Sequence, residues 1–313
     1  MTSIHAPVLL EISLQYLITK PDGVYVDCTL GTTGGHFSGI SSRLNPNAFL
    51  IGLDADPTAV EHCRTFLSIP QKHTLEISNF SNIKRICYRA GFPKVTGILF
   101  DLGMSSFALD NPKRGFSFNS DGPLDMRFSP EIPISASDFI NSASVETMTK
   151  TFWNYGVERS AKRIAKAIEF ARTQKPIKTT AELANIVTKS SHSSFPNKTL
   201  SRIFQAIRIQ IDHELEILES ALQQAIEILE PNGRLVVISY HSLEDRIVKN
   251  FMKLESTNCI CPPDFPICQC NHHASVEILT RKPVEPSDVE IKTNSRARSA
   301  KLRALRKKDI NEG

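Results

Sequence analysis

Residues 24–36 read Val24-Tyr-Val-Asp27-Cys-Thr-Leu-Gly-Thr-Thr-Gly34-Gly35-His36. An apolar start, a glycine-rich turn and then helix-compatible residues predict a buried strand, a tight loop and a helix. Gly34 and Gly35 lack a Cβ, so the backbone there can take positive φ and a ligand can approach it closely. The N–H groups and the positive dipole end of the following helix would point at the same place.

Three of the predicted strands end in an acidic residue. Asp54 follows the apolar segment 48–53, and Asp101 ends the segment 97–101. An acid at the end of the second strand, about 20 residues after a glycine loop, is typical of ribose recognition. With Asp27, these residues predict a carboxylate-lined edge of a parallel sheet and a ligand that contains a nucleoside. The alternative is that the three aspartates only cap the helices that follow them.

The composition is that of an ordinary globular protein. The chain has 313 residues, of which 41% are hydrophobic and 22% charged, with one Trp. No apolar run approaches the ~20 residues that span a bilayer, and the N-terminus has no secretory signal pattern, so we expect a cytoplasmic protein without a membrane partner. The net charge is only +4, but residues 292–308 hold eight basic side chains and no acidic one. Such a run suits phosphate backbones or a solvated tail.

Alternating strand and helix patterns up to residue 102 predict an open, mostly parallel α/β sheet. A loop-like stretch follows over 105–125, and then helical patterns with capping spacings at Ser135…Asp138 and Thr179…Glu182. We therefore expect a helical domain over 107–205, inserted into a sheet domain formed by 1–106 and 206–313. Apolar residues at spacings of three and four over 200–229 predict one long helix or two in series.

The remaining patterns extend the sheet domain toward the end of the chain. Residues 234–239 predict a fifth strand, Ser242…Asp245 a helix cap, and residues 276–280 a further strand. The basic tail is compatible with either a strand or a helix.

The glycine spacing discriminates between nucleoside ligands. A dinucleotide-binding loop reads G-x-G-x-x-G, which brings the backbone close to a pyrophosphate. This loop reads G-x-x-G-G after Leu30. S-adenosylmethionine needs only room for its amino-acid moiety at the loop and an acid for its ribose, so the methyl donor fits better than a dinucleotide.

Longer motifs resemble one family over essentially the whole chain. They are His5-x-Pro-Val-Leu-Leu-x-Glu11, Asp27-Cys-Thr-Leu-Gly with Gly34-Gly-His, Asp101-Leu-Gly-Met-Ser-Ser, Arg114-Gly-Phe-Ser-Phe, Gly122-Pro-Leu-Asp-Met-Arg127, Ser239-Tyr-His-Ser-Leu-Glu-Asp-Arg246 and Asn294-Ser-Arg-Ala-Arg-Ser-Ala-Lys-Leu-Arg303. The sequence is similar to the bacterial small-subunit ribosomal RNA cytosine-N4 methyltransferases, the MraW or RsmH family. The resemblance implies a class I, Rossmann-like S-adenosylmethionine-dependent fold with an inserted helical domain for substrate recognition. It also implies a cytidine in the decoding region of 16S ribosomal RNA as substrate, within the small subunit or its precursor.

The resemblance also implies which residues bind the cofactor. These positions carry over to Gly34, Gly35, His36, Asp54, Phe80 and Asp101. At Ala108 the family commonly has Gln, so any hydrogen bond from that side chain to the cofactor is lost here. Phe107 likewise replaces a proline of the family pattern.

The chemistry requires a hydrogen-bond acceptor at the cytosine amine, a surface for the extruded base and cations for phosphates. Asp101 and His241 are the candidate catalytic residues, although each side chain is also compatible with a structural role. Candidate contacts to RNA are Lys113, Arg114, Phe116, Phe118, Arg127 and Tyr240, with the basic segment Lys162, Arg163 and Lys166. The aromatic members of this set are equally compatible with anchoring loops to the core.

Four cysteines cluster near the end of the chain, at Cys259, Cys261, Cys268 and Cys270. They provide enough ligands for a tetrahedral zinc site, but their spacing is C-x-C twice rather than the commoner C-x-x-C. From the sequence we expect a cysteine-rich surface loop and no metal, with zinc as the alternative. Two further functions also stay open, a dinucleotide oxidoreductase and a non-catalytic RNA-binding or assembly protein.

Overall fold

The computed structural model describes residues 7–262, 265 and 267–309, and it divides into two compact units. The sheet unit comprises Met1–Gly103 and Leu215–Gly313, and the helical unit comprises Met104–Glu214. His5 of the N-terminal motif lies outside the described residues, as do Pro263, Asp264 and Pro266 of the cysteine-rich segment. None of the helices within the described ranges is long and apolar enough to cross a membrane.

The strands all belong to the sheet unit. They are β1 (Val24–Asp27), β2 (Phe49–Asp54), β3 (Lys72–Ile77), β4 (Val95–Asp101), β5 (Leu229–Ser239), β6 (Val276–Ile278) and β7 (Lys301–Lys307). Their order across the sheet is β3-β2-β1-β4-β5-β7-β6. The first five strands are parallel, whereas β7 is antiparallel to both β5 and β6. The order reverses between β1 and β4, and in open α/β sheets ligands bind at the carboxyl end of such a reversal.

The helices are, in chain order, α1 (Leu10–Leu17), α2 (Gly35–Ser41), α3 (Pro57–Phe66), α4 (Ile83–Arg89), α5 (Ser106–Asp110), α6 (Ala136–Ser142), α7 (Val145–Asn154), α8 (Ala161–Gln174), α9 (Thr180–Ser191), α10 (Pro196–Asp212), α11 (Glu214–Ile228), α12 (Ser242–Glu255) and α13 (Asp288–Thr293). Of these, α5 to α10 form the helical unit. The remaining helices belong to the sheet unit, except for Glu214, the first residue of α11.

Both faces of the sheet are buried, which explains why its strands read as continuous apolar runs. Val26 and Ile98 face a cluster that includes side chains of α4 and α11, whereas Tyr25 and Leu99 face a cluster with side chains of α1 and α2. Successive strand residues point to opposite faces, so one short run supplies both cores. Each fully buried large apolar side chain contributes about 1.5–3 kcal/mol.

Two helices of the helical unit begin at the capping residues that the sequence predicts. Ser135 with Asp138 and Thr179 with Glu182 both form capping boxes, at the starts of α6 and α9. The predicted loop over 105–125 contains the short helix α5 and a 3₁₀ turn at Pro112–Arg114.

The apolar stripe over 200–229 is two helices, because His213 between α10 and α11 has a left-handed φ of 50°. Ile207 packs in the core of the helical unit and Leu222 in that of the sheet unit. The helical unit therefore runs to Glu214, beyond the expected boundary at 205, which lies inside α10.

Candidate active site

The carboxylates of Asp27, Asp54 and Asp101 stand at the ends of β1, β2 and β4. These strands are neighbours in the order β2-β1-β4, with Asp27 beside Gly52 on one side and Leu99 on the other. The sheet thus brings the three predicted acids to one edge, at the reversal of strand order.

The loop after β1 takes its shape from glycine. Gly31 and Gly34 have φ values of 62° and 57°, in the left-handed region that side chains with a Cβ disfavour. Gly35 is required for a different reason, because a Cβ there would lie 2.5 Å from Pro7 Cγ. The conformation of the loop therefore depends on glycine at these three positions.

Asp54 fastens this loop to the end of β2. Its Oδ2 accepts the Gly31 N–H at 2.8 Å, and its Oδ1 accepts the Asp56 N–H at 2.9 Å. Asp56 instead caps α3 by accepting the Thr58 N–H. The alternative that all three acids are only helix caps therefore fails at Asp54, because its hydrogen bonds close the glycine loop.

Asp101 lies between two donors. Its Oδ1 accepts the Tyr240 hydroxyl at 2.7 Å, and its Oδ2 is 3.3 Å from His36 Nδ1. Burial and the neighbouring Asp101 charge raise the pKa of Tyr240, which keeps this hydroxyl protonated. Two directed contacts hold the carboxylate in one orientation.

His36 is buried between the Val8 carbonyl and the Asp101 carboxylate. Its Nε2 lies 3.0 Å from the Val8 carbonyl, which can only accept, so Nε2 carries a proton. Burial acts to lower the pKa of His36, but the hydrogen bond and charge of Asp101, together with the charge of Asp27, outweigh it and the pKa is raised. This shift favours the imidazolium, which is the form that can donate to both Val8 and Asp101.

Asp27 is fully buried, and burial raises its pKa to about 6. Its Oδ1 accepts the Thr29 N–H at 3.1 Å, while Oδ2 has no hydrogen-bond partner among the described residues. An unsatisfied buried carboxylate oxygen is costly, and a cationic ligand would offset that cost.

Thr29 was not a predicted site residue, although it links two strand ends. Its hydroxyl approaches Asp27 Oδ1 at 3.4 Å and accepts the Asp101 N–H at 2.7 Å. The sequence signals for it are its place two residues after a strand-terminal Asp and within the motif Asp27-Cys-Thr-Leu-Gly.

Phe80 lies at the carboxyl end of β3, where it opens a 3₁₀ turn capped by Asn79. Its half-buried ring meets Phe100 edge-on, with the centroids 5.5 Å apart. The ring is thus held rigidly on the same edge of the sheet as the carboxylates.

His241 caps α12. Its Nδ1 accepts the Glu244 N–H at 3.4 Å, its Nε2 lies 3.1 Å from Glu244 Oε1, and Glu244 Oε2 accepts the backbone N–H groups of Tyr240 and His241. The capping box therefore starts at His241, one residue before the predicted Ser242. We assign no catalytic step to His241, since both ring nitrogens face its own capping partner.

Two of the predicted RNA-binding residues also order a loop of the helical unit. Arg127 binds both carboxylate oxygens of Asp125, at 2.9 and 2.8 Å, and also the Ile132 carbonyl. Arg114 donates to the carbonyls of Arg127 and Phe128. The guanidinium groups are thus already used in tying the loop together.

The aromatic candidates of the helical unit differ in exposure. Phe116 is only 6% exposed and packs against Phe128, so it presents no face to a nucleobase, which corrects its predicted stacking role. Phe118 is half-buried against Phe204, and Lys113 is exposed. Ala108 is buried in the core of the same unit, on α5.

Comparison with known proteins identifies the family. The model of the MraW methylase family matches residues 2–308. The "Ribosomal RNA small subunit methyltransferase H" of Carboxydothermus hydrogenoformans is 46% identical, with 97% of each chain covered. The protein of the same name from Fusobacterium nucleatum subsp. nucleatum is 45% identical, with 96% of each chain covered. Both the family match and these identities extend over the sheet unit and the helical unit alike, and the chain therefore belongs to the MraW methylase family.

Proposed function

We propose that this chain transfers a methyl group from S-adenosylmethionine to the exocyclic N4 amine of a cytidine in the decoding region of 16S ribosomal RNA. The names of its relatives support a ribosomal RNA substrate, and the class I sheet order supports a nucleoside-containing methyl donor. The observation that carries the proposal is the cluster of Asp27, Asp54, Asp101 and His36 beside the glycine loop. The proposed partner is the small ribosomal subunit or its precursor, so the reaction would occur in the cytoplasm.

The chain's own residues fit S-adenosylmethionine. The unpartnered Oδ2 of Asp27 is suited to a cation, and this cofactor carries both an ammonium and a sulfonium. Asp54 stands where Rossmann-type folds bind ribose hydroxyls, with its carboxylate oriented by two backbone N–H groups. Phe80 offers a half-buried aromatic face for the adenine.

Bound S-adenosylmethionine supplies an electrophilic methyl group. The cytosine amine is a poor nucleophile because its lone pair is delocalised into the ring, and it gains positive charge as it attacks. A carboxylate near the amine stabilises that charge more in the transition state than in the ground state. Asp101 suits this role because Tyr240 and His36 fix its orientation before the substrate arrives.

The target base has to leave its stack to reach such a site, which costs a few kcal/mol. Tyr240, half-buried at the end of β5, is the remaining aromatic candidate on the sheet unit for holding the extruded base. The exposed basic side chains Lys162, Arg163 and Lys166 on α8 suit the RNA phosphates.

Transfer of labelled methyl groups to undermethylated small subunits tests the proposal directly. We expect label on one cytidine of 16S ribosomal RNA, released by nuclease digestion as N4-methylcytidine. Asp101→Asn should lower turnover by about 100-fold or more under saturating donor. Asp22→Asn is the matched control, since this exposed carboxylate precedes β1 and so lies at the opposite end of that strand.

Three outcomes would contradict the proposal. Label on a base carbon or a ribose would refute the amine as acceptor, and RNA binding without any transfer would indicate an assembly protein. Thermal protection by NAD rather than by S-adenosylhomocysteine would indicate an oxidoreductase.

A further inference from the structure

The four clustered cysteines lie in the segment between α12 and β6, which the cofactor site does not use. Cys259 and Cys268 are exposed, Cys261 and Cys270 are half-buried, and all four are free thiols. They come from two C-x-C pairs that are separated by six residues.

The structure brings the four sulfur atoms together. All four Sγ atoms lie within 4.8 Å of one another. The Sγ of Cys268 is 3.4 Å from that of Cys259 and 3.5 Å from that of Cys270, and Cys259 and Cys270 are 3.9 Å apart. A tetrahedral zinc–thiolate site with bonds of about 2.3 Å has sulfur atoms about 3.8 Å apart. The cluster thus has the dimensions of a four-sulfur coordination shell.

Backbone N–H groups support sulfur atoms across the two pairs. The Ile260 N–H, inside the first pair, points to Cys270 Sγ at 3.4 Å, and the Gln269 N–H, inside the second, points to Cys261 Sγ at 3.3 Å. Such donors stabilise the thiolate form that binds metals. In each C-x-C pair, the backbone N–H of the middle residue therefore points to a cysteine sulfur of the other pair.

The ends of the segment are fastened to α12, so the sulfur atoms are held before any ion arrives. Ser275 donates through its N–H to the Glu255 carbonyl at 2.8 Å, and the Ala274 N–H reaches Asn258 Oδ1 at 3.2 Å. His272 Nε2 lies 3.0 Å from the Leu254 carbonyl, which directs this imidazole to the helix end rather than to the sulfur cluster.

From this geometry we propose that Cys259, Cys261, Cys268 and Cys270 bind one zinc ion. Four thiolates complete a tetrahedral shell and leave no position for water or substrate, which makes the site structural rather than catalytic. Soft thiolate ligands select zinc over magnesium or calcium. The ion would cross-link the two C-x-C pairs, and the proposal replaces our expectation of a plain surface loop.

Metal analysis of the full chain, purified under reducing conditions without chelator, tests the site. We expect about one zinc per chain by mass spectrometry, and less than a tenth of that in Cys261→Ser or Cys268→Ser. Gln269→Ala is the matched control, because it lies between two ligands and keeps the backbone N–H; it should retain the full zinc content. Exchange of the ion for Co²⁺ should give the intense visible absorption of tetrahedral cobalt thiolate.

Several results would overturn the proposal. These are a folded wild-type chain with no metal and four reactive thiols, iron in place of zinc, or disulfides between these cysteines under reducing conditions. If the serine variants do not fold, the wild type alone decides, through removal of the ion by chelator and titration with Co²⁺. One equivalent with thiolate absorption supports the site, and absence of that absorption refutes it.

Discussion

Replacing Asp54 by Asn tests whether this carboxylate shapes the cofactor site. The change keeps the size of the side chain but turns one accepting oxygen into a donor. Asp54 accepts the Gly31 N–H at 2.8 Å and the Asp56 N–H at 2.9 Å, so one of these N–H groups must then face an NH₂ group. A hydrogen bond to a charged acceptor is worth about 1.5–3 kcal/mol.

That energy sets the expected size of the effect. If the lost acceptor serves the cofactor or the loop that holds it, the affinity for S-adenosylhomocysteine should fall about 10- to 150-fold. Isothermal titration calorimetry measures this change directly. Asp56→Asn is the control, since Asn caps a helix about as well as Asp and the affinity should stay within about twofold. An unchanged dissociation constant for Asp54→Asn would refute the assignment of this carboxylate to the cofactor.

Three further predictions concern the buried acid, the glycine loop and the basic helix. Burial raises the pKa of Asp27 to about 6, so the folded protein favours the protonated carboxyl. As the pH rises from about 4 to 6, the free energy of unfolding of the wild type should therefore fall relative to that of Asp27→Asn, by up to about 3 kcal/mol in denaturant titrations. The variant should also bind S-adenosylhomocysteine less well. Parallel curves for the two proteins would contradict this. Gly34→Ala should cost about 1–2 kcal/mol of stability and also reduce cofactor affinity. The control is Gly91→Ala, which should reduce stability alone, because Gly91 has a φ of 89° and no neighbouring atom within 4 Å of an added Cβ. The double change of Lys162 and Lys166 to Ala should lower the slope of log affinity for RNA against log salt by about 2, and an unaltered slope in filter binding would remove α8 from the interface.

Much of the sheet unit could be predicted because its strands are buried on both faces. The apolar segment 48–53, which the sequence predicts as a strand that ends in Asp54, is β2 (Phe49–Asp54) in the structure. The carboxylates could be predicted at one edge because parallel strands that alternate with helices all have their carboxyl ends at the same edge of the sheet. The strand topology alone places the three carboxylates at this edge, independently of side-chain packing.

What the sequence did not predict depends on side-chain geometry. The break between α10 and α11 falls at His213, a non-glycine residue in a left-handed conformation without a sequence signature. The contacts of Thr29 and the His36–Asp101 pair follow from rotamers and burial, which spacing does not report. The sulfur cluster shows the same limit, because its C-x-C pairs converge only once the chain has folded back on α12.

The insertion of the helical unit between β4 and β5 has a consequence for how the protein folds. Phe100 pairs with Val237 directly across these adjacent strands, although more than a hundred residues separate them along the chain. Closing so long a connection is entropically costly and slow, unless the intervening residues have already collapsed into a compact body that brings the two strands near each other. The donor-binding sheet is then kinetically dependent on the segment that interrupts it. A destabilising substitution in the core of the helical unit, far along the chain from Asp27 and Asp54, should therefore first show during synthesis as a nascent chain that is slow to bind its cofactor.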